Sequence, residues 1–62
     1  MFILEYTKTI DDNGNRIPAE QWEYERYGKM IYNTYEEADQ DRTTYQWSSD
    51  NIYIRVKEWS ND

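Results

Sequence analysis

The chain contains neither cysteine nor histidine, and this limits what its 62 residues can fold into. A domain of such length buries only about 60% of the surface its unfolded chain exposes. Small scaffolds therefore usually carry a disulfide, a structural metal or a partner subunit. No disulfide can form here. Zinc, whose main protein ligands are thiolate and imidazole, has few suitable donors. What remains is the burial of large rings or self-association. Rings are plentiful, with seven Tyr, three Trp and one Phe. Each Tyr or Trp brings roughly 150–250 Å² of buriable surface. One small domain over residues 1–62 is expected, with no cofactor.

Alternation marks the strands. Residues 2–10 read FILEYTKTI, rich in β-branched and aromatic types. Asn13-Gly14 follows as a turn signal, because both residues tolerate positive φ. Residues 19–27 read AEQWEYERY and form the expected second strand, with Trp22, Tyr24 and Arg26 on one side and Glu23, Glu25 and Tyr27 on the other. Gly28-Lys29 makes a turn or bulge before a short third strand at Met30-Ile31-Tyr32. Residues 52–59, IYIRVKEW, give the strongest strand pattern, with Ile52, Ile54 and Val56 opposite Tyr53, Arg55, Lys57 and Trp59. The tail Ser60-Asn61-Asp62 is expected to fray.

A helix is signalled between these strands. Thr34-Tyr35-Glu36-Glu37 has the capping-box form S/T-x-x-E, and acids in the first turn suit the positive end of the helix dipole. At about 100° per residue, Tyr35, Ala38, Arg42 and Tyr45 share one arc. The helix should stop near Gln46 or Trp47, before the turn-prone Ser48-Ser49-Asp50-Asn51.

The order β-β-(β)-α-β predicts an α+β fold: a small antiparallel sheet of three or four strands with one helix packed on one face. The first and last strands should be neighbours, with the first in the middle. The expected core is Phe2, Leu4, Tyr6, Trp22, Tyr24, Tyr35, Ala38, Tyr45, Ile52, Ile54 and Val56. The opposite face would carry Ile3, Glu5, Thr7, Glu23, Glu25, Tyr53, Arg55, Lys57 and Trp59. One helix covers one side of a sheet, so this second face is expected to be bare.

Charge narrows the partners. Thirteen acids against seven bases give a net charge of −6. Direct nucleic-acid binding is disfavoured, because phosphate neutralisation needs Lys and Arg. Anionic membranes are disfavoured for the same reason, and no stretch approaches the roughly 18 apolar residues of a spanning helix. A cytoplasmic location is expected. Solubility is the plain meaning of such a charge; attraction to a basic protein surface is the sharper one.

Catalytic and metal motifs find little support. Asp11, Asn13 and Asn15 open like a calcium loop, but Arg16 and Trp22 occupy the places that need Gly and Glu. Ser48 and Ser49 have no histidine to activate them. The carboxylate pairs Glu23/Glu25 and Glu36/Glu37 read as a solvated acidic surface rather than an acid–base site. No catalytic residue is expected.

The functional expectation is therefore a non-enzymatic acidic binding protein that docks on a basic surface of a larger protein. Glu23, Glu25, Glu36, Glu37, Asp39 and Asp41 would supply the electrostatics. Tyr53, Arg55 and Trp59, of residue types enriched at binding hot spots, would supply anchors. In size and composition the whole chain resembles the small acidic inhibitors that phages and mobile elements direct at host nucleic-acid-handling or defence proteins. Anti-CRISPR proteins and nucleic-acid mimics are of this type. The resemblance implies protein–protein inhibition; it rests on no motif and assigns no residue. The alternative is a structural subunit that forms a homodimer through the bare sheet face.

Overall fold

A computed structural model describes residues 1–60. The order is β1 (Phe2–Lys8), a single 3-10 turn (Ala19–Gln21), β2 (Glu25–Arg26), α1 (Tyr35–Trp47) and β3 (Ile52–Glu58). The strands form one antiparallel sheet in the order β2-β1-β3, with α1 against one face. The α+β class, the single helix and the central position of the first strand are as the sequence predicts. Of the frayed tail expected there, Asn61 and Asp62 lie outside the described residues.

The ladder between β1 and β3 is complete from Phe2↔Glu58 to Lys8↔Ile52. Beyond it the chain turns at Asp11–Asn15, where Gly14 takes φ +83° and Asp11 Oδ1 accepts from the N–H groups of Asn13 and Asn15 at 2.9 Å. This is the expected turn, with a short Asp side chain satisfying backbone donors.

The second strand is much shorter than predicted. Residues 19–21 wind into the 3-10 turn behind Pro18, and only Glu25–Arg26 join the sheet. The proposed third strand is one bridge, Phe2↔Tyr32, so the sheet has three strands. Between Glu5↔Arg26 and Phe2↔Tyr32 the register shifts by three residues. Gly28, at φ +74°, absorbs part of that excursion.

The faces of this segment are also reversed from the expectation. Arg26 lies opposite Glu5 and Glu25 opposite Tyr6. Trp22, Tyr24 and Arg26 therefore belong to the face away from the helix, and Tyr27 to the helix side. A one-residue change in register moves a whole row of side chains across the sheet.

The helix begins at the predicted cap with the Thr34 half of the capping box, Thr34 Oγ1 accepting from the Glu37 N–H at 3.2 Å. Its inner side buries Ala38 against Leu4, Ile54 and Tyr32, with Phe2, Tyr6, Tyr27, Ile52 and Val56 packed around them. Tyr32 and Tyr27 take the core places expected of Trp22 and Tyr24. Tyr35 and Tyr45, counted with the core from sequence, are partly exposed at its margin. Tyr35 meets Phe2 edge-on at 5.9 Å and Tyr45 tilts onto Tyr27 at 5.2 Å.

Tyr32 also ties the core to α1. It is 5% exposed and donates its O–H to Asp41 Oδ2 at 2.8 Å. Burial, that hydrogen bond and the Asp41 charge push its hydroxyl up to about 12 from the ordinary 10.0. In that interval the folded state keeps a proton that the unfolded chain releases, so stability falls as pH rises. The contribution is full below about pH 10 and is lost on approaching about pH 12. Tyr32→Phe should flatten the alkaline end of a stability–pH profile measured by urea melts. An unchanged profile would assign the alkaline loss to other groups.

Candidate functional site

The face opposite α1 is covered, contrary to the sequence expectation. Three contacts pass over the middle strand from the 22–26 segment to β3 and to Trp59 just beyond it. Trp22 stacks on Tyr53 with ring centroids 5.7 Å apart, Arg55 lies 3.4 Å above the Tyr24 ring, and Arg26 sits 5.0 Å from the Trp59 ring. Trp22 is further held by its indole N–H, which donates to the Ile17 carbonyl at 2.9 Å. Beneath these contacts Ile3 is 6% exposed and Thr7 2% exposed. Arg55 also donates to Glu5 Oε1 at 2.8 Å. Ring stacking and cation–π contact thus do for this face what a second helix does in a larger domain.

The three expected anchors are consequently engaged within the chain. Tyr53 remains partly open beside Trp22. Arg55 is held between Tyr24 and Glu5, and Trp59 lies under Arg26. A homodimer through this face would meet the covering rings rather than a bare sheet.

The acids divide into two groups. Asp39 pairs with Arg42 at 2.7 Å, Asp41 accepts from Tyr32, and Glu25 accepts from the Tyr6 O–H at 3.1 Å. These hold structure together. Tyr6 is pushed above its ordinary value, first by that hydrogen bond, then by the Glu25 charge and by burial. Glu23, Glu36 and Glu37 are exposed and enter no ion pair among the described residues. Glu23 and Glu25 line an open cleft of about 320 Å³ with Tyr6, Lys8 and Gln21. The helix acids lie elsewhere, so the six expected carboxylates do not form one array.

One anchor was not identified from sequence. Trp47, in the last turn of α1, is 89% exposed. Its position was available from periodicity: nine residues beyond Ala38, at about 100° each, place it on the opposite side of the helix. The same outward stripe begins at Glu36 and runs through Gln40 and Thr43. At about 1.5 Å per residue, Glu36 and Trp47 are roughly 16 Å apart along the axis. The outer side of α1 thus presents carboxylate at one end and a free indole at the other.

No helix among the described residues is long and apolar enough to cross a membrane. No protein-family model, no curated protein and no solved structure matches this chain.

Proposed function

We propose that the chain is a non-enzymatic binding protein that uses the outward side of α1 to dock on a basic surface of a larger protein. The observation that carries this reading is the pairing of unneutralised Glu36 and Glu37 with an 89% exposed Trp47 on one rigid element. Exposed Trp is characteristic of interface anchors, and carboxylates around it speed encounter with a positive patch. Of thirteen acids, only Glu5 and Asp39 are in ion pairs with basic side chains among the described residues. Most of the negative charge therefore remains free to act at a distance.

The partner class that best fits is a nucleic-acid-handling or defence protein with a groove built for phosphate, which carboxylates can occupy in competition with the natural ligand. This is the action of a phage or mobile-element inhibitor of the anti-CRISPR or nucleic-acid-mimic kind. A cytoplasmic site of action goes with this reading.

The test compares immobilised wild-type chain with Glu36→Lys/Glu37→Lys and with Trp47→Ala, each offered a heparin-retained fraction of bacterial lysate. Wild type should retain a salt-sensitive protein and free its bound DNA; both variants should lose it, Trp47→Ala while melting like wild type and the double variant with only the modest loss that cations at a helix N-terminus cause. Asp39 and Asp41 are left intact because their contacts are structural. Equal retention by all three proteins would remove the α1 surface from the reading.

A further inference from the structure

The backbone of β3 has an open outer edge. Ile54 N–H points away from β1, as its bond to Gln46 shows, whereas Trp59 N–H and the Asn51 carbonyl turn toward the β1 side. The even-numbered residues of β3 therefore direct their peptide groups outward. Gln46 of α1 satisfies the first of these. Its amide donates to the Ile52 carbonyl and accepts from Ile54 N–H, both at 2.8 Å. This is the pattern one residue of a neighbouring strand would make. Beyond it the Ile54 carbonyl and the outward groups of Val56 and Glu58 have no strand beside them among the described residues.

A groove of about 320 Å³ flanks this edge, lined by Tyr35, Asp39 and Arg42 of α1 and by Ile54, Arg55 and Val56 of β3. A strand laid along β3 would turn alternate side chains toward Ile54 and Val56 beside the helix. The others would lie next to Arg55 and Lys57 on the far face.

Charge decides the occupant. A two-fold pairing with a second copy centred on Val56 sets Arg55 opposite Lys57 of that copy. Shifting the centre toward Ile54 sets Arg55 opposite Arg55; shifting it toward Glu58 sets Lys57 opposite Lys57. A further shift sets Glu58 opposite Glu58. Like charges directly opposite are destabilising, so self-pairing is disfavoured in every register that leaves Gln46 in place. Lys57, the cation of this row in no ion pair among the described residues, favours acids on an incoming strand.

We propose that the β3 edge from Ile54 to Glu58, with the groove beside α1, receives an extended segment of a partner protein that alternates apolar and acidic side chains. Main-chain hydrogen bonds supply the affinity and Lys57 supplies the selectivity, as in strand addition generally. This surface is separate from the Trp47 side of α1, so either can fail without the other.

The probe is a synthetic peptide of about seven residues alternating valine with glutamate, long enough to span the free edge at ~3.3 Å per residue. Its titration is followed by the backbone amide signals of Val56 and Glu58. Controls are the same peptide with alternate peptide nitrogens methylated, and one with lysine in place of glutamate. Lys57→Glu is the paired variant, since Lys57 is exposed and in no ion pair among the described residues.

Saturable shifts at Val56 and Glu58 are expected with the glutamate peptide and with neither control. Lys57→Glu should weaken binding by about five-fold or more. Three results would overturn the proposal: no saturable shift, binding indifferent to both methylation and Lys57→Glu, or a wild-type dimer by sedimentation whose β3 amides are already protected.

Discussion

Replacing Ile54 by alanine is expected to remove about 2–5 kcal/mol of stability, the range for a fully buried aliphatic side chain. Ile54 is 0% exposed and sits at the middle of the core with Leu4, Ala38 and Tyr32. The loss is large against the whole, because a native domain holds only about 0.05–0.15 kcal/mol per residue. On that scale Ile54→Ala should leave a substantial unfolded population at room temperature without denaturant. Far-ultraviolet circular dichroism in a urea titration measures this directly. Leu4→Ala, 1% exposed on the neighbouring strand, should behave alike. A shift smaller than about 1 kcal/mol for both would mean that the ring layer on the other face, not this cluster, carries the fold.

The second large effect tests that ring layer. Trp→Ala at a fully buried site costs about 3–5 kcal/mol. Trp22 is half-buried, so Trp22→Ala should cost roughly half of that, about 1.5–3 kcal/mol. The contributions are the stack on Tyr53, the indole hydrogen bond to Ile17 and the cover over Thr7. Trp47→Ala is the internal comparison: an 89% exposed side chain should change stability by no more than about 0.5 kcal/mol. The contrast between the two tryptophans in one denaturation series is the measurement. Equal and small effects would show that the face opposite α1 gains nothing from its rings. Equal and large effects would contradict the exposure of Trp47, and with it the docking role assigned to α1.

The contrast also shows where sequence reading succeeds. α1 was legible because two independent signals agree, a capping box at Thr34–Glu37 and an arc through Ala38, and both act within a few residues of chain. β1 and β3 were legible by alternation, and their pairing follows from the hydrophobic rows Phe2-Leu4-Tyr6 and Ile52-Ile54-Val56. The 22–27 segment was not legible, because rings stand in both alternating rows: Trp22 and Tyr24 in one, Tyr27 in the other. Pattern alone cannot choose which row faces the helix. The choice is made by tertiary context, since Ile3 and Thr7 need cover and only the row Trp22-Tyr24-Arg26 reaches β3 over them. The expected bare face followed from counting the helix as the sheet's sole cover, and the reversed row concealed the rings that cover Ile3 and Thr7.

Gln46 represents a different limit. Its clasp on Ile52 and Ile54 depends on the distance between two elements that no local pattern fixes. Trp47, by contrast, was present in the helical periodicity, at the residue where the helix was expected to end.

The pairing of β1 with β3 has a consequence for how the molecule comes into being. Phe2 finds its ladder partner in Glu58, 56 positions later, and every other rung of that ladder also waits for the final strand. The central strand is made before both of its neighbours and is completed only when β3 arrives. Contacts between such distant points close slowly relative to those of a helical bundle of equal size. Until then the Phe2-Ile3-Leu4 stretch lacks its ladder partner in β3.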